Sequence, residues 1–191
     1  MELLKQKILN EGEVYEGNIL KVDCFLNHQI DCSFMSLVGD EFYSLFKEDK
    51  PNKILTIEAS GIAIGAMVAQ KFCCPLVFAK KTKSKNIAGE VYTTKVYSFT
   101  KDITYDIMVS KRFLGEGDRV LIVDDFLANG NALVGLIELV KMSGAHLVGC
   151  GTVIEKGYQK GGDNLRAQGI KVESLAIVEG MDHTTGEVTF R

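Results

Sequence analysis

Asp124 and Asp125 are adjacent carboxylates at the end of an apolar run, residues 120–123, and Asn129, Gly130 and Asn131 follow closely. Paired acids only accept hydrogen bonds, so they suit hydroxyl groups or a metal ion. The small residues that follow precede a segment of helical periodicity, 132–145, and therefore stand where a helix begins. A helix start presents unpaired N–H groups and the positive end of the peptide dipole, which suits a phosphate, and Gly130 allows close backbone approach. One Asp capping a helix after a buried strand would mean little. Two in succession ask for more.

Other segments carry weaker signals. Glu58, Ala59, Ser60 and Gly61 lie between an apolar run and a helical segment, where the plain reading is a βα turn with a Ser cap. Lys80 and Lys81, with Lys83 and Lys85 beyond them, form a basic run of the kind usually solvated, but only the first two sit at the end of an apolar run. Lys156 follows Gly-Thr-Val-Ile-Glu and, from spacing alone, is a surface lysine beside Glu155.

The elements that position these residues follow from hydrophobic periodicity. Helical spacing runs through 2–10, 31–47, 61–72 and 132–145, the last closed by Gly144, with a short helix at 161–169. Strand-like runs occupy 53–59, 75–80, 119–125, 147–155 and 171–178. Strands alternating with helices, each strand almost continuously apolar, predict a parallel sheet covered on both faces. Acids and a helix start then share the carboxyl end of a strand, where α/β sheets bind ligands. Between the two βαβ units, the polar stretch 81–93 and two strand-like runs, 94–100 and 102–110, predict an inserted lid and hairpin. Two rival readings fail. A receiver domain carries its paired acids after its first strand, whereas more than a hundred residues precede these, and a dinucleotide fold needs a GxGxxG turn that is missing.

Composition narrows the function. The chain has 191 residues, 46% hydrophobic and 25% charged, with two prolines, which is one compact domain and not a disordered or repetitive chain. A net charge of −3 supplies no global field for nucleic acid or an anionic membrane, so an anion site must be local. The uncharged apolar stretch 59–70 falls short of the roughly 20 residues a bilayer requires. With an amphipathic N-terminus unlike a signal, the expectation is a cytoplasmic protein without membrane or nucleic-acid partners. The cysteines, Cys24, Cys32, Cys73, Cys74 and Cys150, are odd in number and lack ligand spacing, and are expected to be small buried hydrophobes, neither disulfides nor zinc ligands.

The segment 120–133, an apolar strand, two acids and a glycine-containing loop into a helix, resembles the phosphoribosyl-pyrophosphate motif of the type I phosphoribosyltransferases. Where that family usually carries Thr-Gly-Gly-Thr, this chain has Asn129-Gly130-Asn131-Ala132, so both hydroxyls are missing. The form Ala128-Asn129-Gly130-Asn131-Ala132 is similar to the family's bacterial branch acting on xanthine, as are segments 20–31, 56–63, 96–101 and 153–159. The resemblance implies an α/β fold, a parallel-sheet phosphoribosyltransferase core in a single domain over 1–191. A small hood and helix region would span 1–50, and an inserted flexible loop and hairpin 80–110.

The activity so implied is displacement of pyrophosphate from ribose C1 by a purine nitrogen. Asp124 and Asp125 would face the ribose and offset its developing positive charge, and residues Ala128, Asn129, Gly130, Asn131 and Ala132 would hold the 5-phosphate. The loop Glu58, Ala59, Ser60 and Gly61 would contact pyrophosphate, with Lys80 and Lys81 meeting its charge, since Ser60 replaces the Arg typical of adenine enzymes. Leu20, Asn27 and Lys156 would recognise the base, with Tyr158 a further candidate cover for its ring. Lysine only donates, which matches a 6-oxo purine and mismatches adenine. Mg²⁺ would arrive with phosphoribosyl pyrophosphate, held mainly through that substrate and not by a protein ligand set, and the assembly would be a homodimer. The alternatives are a hypoxanthine or guanine enzyme, or a regulator of the same fold that senses phosphoribosyl pyrophosphate.

Overall fold

The computed structural model describes residues 1–81, 89–98 and 103–191. In chain order, α1 (Glu2–Glu11) is followed by β1 (Glu13–Tyr15) and β2 (Ile19–Lys21), then α2 (Cys32–Phe46), β3 (Lys53–Ile57), α3 (Gly61–Phe72) and β4 (Leu76–Ala79). After β5 (Val91–Ser98) and β6 (Ile103–Ser110) come β7 (Arg119–Leu127), α4 (Asn131–Ser143), β8 (His146–Lys156), α5 (Gly161–Ala167), β9 (Val172–Met181) and β10 (Val188–Phe190).

The central sheet has the order β10-β9-β8-β7-β3-β4, parallel except for β10, which pairs antiparallel with β9. Continuous apolar runs in β3, β7 and β8 are what a strand covered on both faces requires. One face packs against α1, α2 and α3, through Leu4, Phe42, Ile64 and Val68 against Leu121 and Val123. The other meets α4 and the β5–β6 hairpin, through Leu136, Val140 and Ile107 against Val120 and Ile122. Asp31 opens α2 by accepting the Phe34 N–H at 3.0 Å, and this bond holds its carboxyl below the ordinary range.

Several boundaries differ from the sequence expectation. β7 extends to Leu127, because its pairing with β8 continues through Leu127↔Glu155, so the two acids lie within the strand. The final core strand runs to Met181, where β10 covers its edge. The β1–β2 hairpin and β10 have three residues per strand, too few to show a period. The β5–β6 hairpin sits on α4: a side chain at Gly135 would collide with Val96 and come within 3.1 Å of Ile107. Residues 82–88 of the expected lid, with Lys83 and Lys85, lie outside the described residues. The cysteine expectation needs correction. All five are free thiols, but Cys24, Cys32 and Cys73 are exposed and only Cys150 is fully buried. Cys24 lies in the turn between β2 and α2, Cys32 in the first turn of α2 and Cys73 at the left-handed close of α3. Among the described residues, no helix is long and apolar enough to cross a membrane.

Candidate active site

The parallel strands β3, β4, β7 and β8 bring their carboxyl ends to one edge. β3 and β7 pair only as far as Leu55↔Ile122, after which β7 continues alone beside β8. The space where they diverge is filled by the 58–60 turn and the start of α3. A Cβ at Gly61 would strike Thr56 Oγ1 and lie 3.2 Å from Asp124 Oδ1, so glycine is required there by close approach. The Thr56 hydroxyl beneath it is buried without a partner. Ser60 precedes the helix but makes no capping bond, unlike the plain reading of this turn. Glu58 instead ties the loop to β4, its Oε1 accepting the Lys81 N–H at 2.6 Å.

Strand alternation sends the paired acids to opposite faces. Leu121 and Val123 belong to the core beneath the hood, and Asp125 follows them, accepting from Asn27 Nδ2 at 3.0 Å. Val120 and Ile122 belong to the core beneath α4 and the hairpin, and Asp124 continues that side. Asp124 is 4% exposed and accepts the Asp125 N–H at 2.9 Å. Burial first, and then the neighbouring Asp125 charge, hold its carboxyl well above the ordinary range, while the charge of Lys81 opposes them. Tyr105 of β6 also feels Asp124: burial and that charge raise its phenol.

The two lysines of the basic run separate. Lys81 lies 5.5 Å over the Tyr105 ring, on the Asp124 side. Lys80 is joined to Met108 by a backbone bridge and sits 6.0 Å over Phe78, lining a second cavity of about 580 Å³ with Arg112 and Phe113.

Residues 128–130 connect β7 to α4. Gly130 stands at φ +88°, a left-handed conformation open to glycine, and caps α4. Beyond it, the first N–H groups of a 13-residue helix have no partner within the helix. The Asn131 side chain is taken, donating to Tyr97 O at 2.9 Å. This loop forms one end of a cavity of about 500 Å³ whose other end is Lys156, with Phe126 and the hood turn 17–19 between them.

Lys156 is partly buried, which lowers its pKa. Its Nζ donates to Asn18 O at 3.0 Å and sits 5.8 Å over the Phe126 ring. The reading of a surface lysine beside Glu155 is therefore wrong, because Glu155 is fully buried and pairs with Arg166. Leu20 is buried in the core under the hood, and Tyr158 packs against the same core with its hydroxyl buried and unpartnered.

The structure thus brings Lys156 and residues 128–132 to one cavity, joins Asn27 to Asp125 and sets Lys81 on the Asp124 side, while Leu20 lies in the core, Tyr158 packs against it and Lys80 lines the other cavity. Sequence reading missed Asn18, Tyr97, Tyr105, Phe126 and Gln159. Gly17-Asn18 between two short apolar runs is a turn signal that would have found the first. Nothing local distinguishes the others.

A family model described as phosphoribosyl transferase domain matches residues 33–180. The chain is 59% identical over its whole length to a xanthine phosphoribosyltransferase of Lachnoclostridium phytofermentans, covering 98% of that protein. It is 54% identical to one from Clostridioides difficile, with both chains fully covered. Among solved structures, adenine phosphoribosyltransferase of Rhodothermus marinus superposes with a TM-score of 0.74 at 21% identity, over 93% of this chain and 99% of that one. The Saccharomyces cerevisiae adenine enzyme gives 0.73 at 22%, over 92% and 99%. At such identities these structures speak for the fold alone.

Proposed function

The chain belongs to the phosphoribosyltransferase family, and on that premise we propose that it transfers the 5-phosphoribosyl group from phosphoribosyl pyrophosphate to xanthine in purine salvage, giving xanthosine monophosphate and pyrophosphate. The observation that carries this reading is the cavity joining the start of α4 to the Lys156 ammonium. One end offers backbone N–H groups to a phosphate, and the other offers a donor-only cation to an oxo base. Whole-length identity to relatives named for xanthine supports the same choice of base.

In this reading Asp124 and Asp125 approach the ribose from the two faces of β7 and offset the positive charge that develops as pyrophosphate departs. Asn27, anchored on Asp125, presents the rest of its amide to the base. Lys81 meets pyrophosphate near the 58–61 loop. Lys80 has no part in it, since its side chain lies over Phe78.

Mg²⁺ fits as an ion carried by the substrate. One or two carboxylates, here Asp124 and Asp125, together with substrate phosphates are the usual Mg²⁺ environment. When bound, the ion would neutralise charge on the leaving pyrophosphate. The assembly is proposed to be a cytoplasmic homodimer: β4 is an edge strand, and Phe78 and Phe113 beside it are 37% and 52% exposed, giving apolar area for a second copy to cover. Light scattering is expected to give twice the chain mass.

Pyrophosphate release with each purine in turn is expected to be fastest on xanthine, absent on adenine, and lost when Mg²⁺ is chelated. Tight binding of phosphoribosyl pyrophosphate with no base-dependent release would make the protein a sensor instead. At the phosphate end, Gly130→Val forces a β-branched residue to φ +88°. The loop relaxes away from strain of about 1–3 kcal/mol, and regaining the binding conformation is expected to weaken binding of phosphoribosyl pyrophosphate roughly five- to 150-fold. Unchanged affinity in a calorimetric titration would move the phosphate elsewhere.

A further inference from the structure

Glu155 is fully buried, yet it lies outside the cavity and faces neither proposed substrate. Its carboxylate accepts from Arg166 Nη1 and Nη2 at 3.0 and 2.7 Å and from Ser174 Oγ at 2.5 Å. Arg166 Nε also donates to Val172 O at 3.0 Å, fixing the end of α5 to β9. A buried ion pair of this kind is weak evidence for stability, because packed apolar side chains of similar volume often serve as well. What it supplies is fixed bidentate geometry.

That geometry is transmitted by two glycines. A Cβ at Gly162 would collide with Glu155 Oε1 and lie 2.8 Å from Arg166 Nη1. A Cβ at Gly161 would collide with Ala128 O and lie 2.6 Å from Asn129 C and 2.7 Å from Gly130 N. Carboxylate, Gly162, Gly161 and the backbone of 128–130 therefore form one stack without space for a methyl group. The Lys156 side chain, although next in sequence, is held by contacts of its own, Nζ donating to Asn18 O at 3.0 Å and lying over the Phe126 ring.

We propose that the Glu155–Arg166 pair is a positioning device for the 5-phosphate: it presses Gly161 against the back of the 128–130 loop and sets where that loop's N–H groups point. The inference rests on the reading that this loop receives the phosphate. Displacing such positioning groups by about 1 Å is costly, with effects up to about a hundredfold.

The test compares Gly161→Ala, Arg166→Lys and Arg166→Met in the full chain, with circular dichroism to confirm folding. Gly161→Ala is expected to raise Kd and KM for phosphoribosyl pyrophosphate about tenfold or more, and Arg166→Lys, which keeps the charge but loses the fork, several-fold less. KM for xanthine at saturating cosubstrate should stay within about twofold, since Lys156 is held independently. Should Arg166→Met fail to fold, the other two variants decide. Folded Gly161→Ala and Arg166→Lys with wild-type affinity for phosphoribosyl pyrophosphate would overturn the proposal, as would both KM values rising in proportion. Gly130→Val separates the premises: if it too leaves affinity unchanged, the loop assignment is wrong, and if it alone weakens binding, only the positioning device is.

Discussion

Asp124→Asn is expected to lower turnover by about 10²- to 10³-fold while making the protein more stable at neutral pH. The carboxyl is buried beside Asp125, and both effects hold its pKa well above the ordinary range. An amide keeps the size and the acceptor for the Asp125 N–H, removes a buried charge, and leaves Asp125 alone to oppose a developing cation at the sugar. The sign of the pH effect follows. Between the ordinary carboxylate range and the raised value, the folded protein binds a proton that the unfolded chain has released. Wild-type stability therefore falls as pH rises through that window and remains reduced above it. The Asn variant lacks this fall, and each kcal/mol relieved adds roughly 2–4 °C to Tm in a chain of this size. Denaturation of both proteins across acid to neutral pH, alongside steady-state rates, checks both halves. A variant that is active, or no more stable than wild type at neutral pH, would contradict the role given to Asp124.

Lys156→Ala should lose about ten- to 150-fold in kcat/KM for xanthine, the equivalent of one charged hydrogen bond of about 1.5–3 kcal/mol, with little change in affinity for phosphoribosyl pyrophosphate. Burial lowers the lysine pKa, so the wild-type rate should decline on the alkaline side at lower pH than an ordinary lysine would give. That limb should disappear in the Ala variant. Xanthine ionises near neutral pH, so its loss should exceed that for guanine. Equal small losses for both bases at every pH would reduce Lys156 to a group that merely tethers the hood through Asn18.

The parts legible in the sequence are those whose chemistry lies on one contiguous stretch. Residues 120–133 announce acids, loop and helix start together because strand and helix succeed one another without interruption. Contacts between distant segments left no such trace: Asn27 meets Asp125 across 98 residues, and Asn18 meets Lys156 across 138. Lys80 and Lys81 look equivalent as letters, and only backbone pairing, with Lys80 bridged to Met108, separates them. Glu155 read as the neighbour of Lys156, but its partner Arg166 lies on a short helix whose packing no local pattern encodes. Three-residue strands in the hood were invisible for want of length.

The Asn27–Asp125 contact pins the hood to β7 by one polar coupling, set beside the apolar seam of Leu4, Ile8, Phe25 and Leu26 in the core they share with Leu121 and Val123. Grafting the first thirty or so residues of a relative onto this sheet would have to keep both the amide at position 27 and the apolar face that packs on Leu121 and Val123, while Lys156 stays with the host. A chimera keeping an amide at position 27 should retain the host's Asp125 contact and, through Lys156, its choice of an oxo purine. One lacking it would free the Asp125 carboxylate and trade a new roof over the base for a loss of rate.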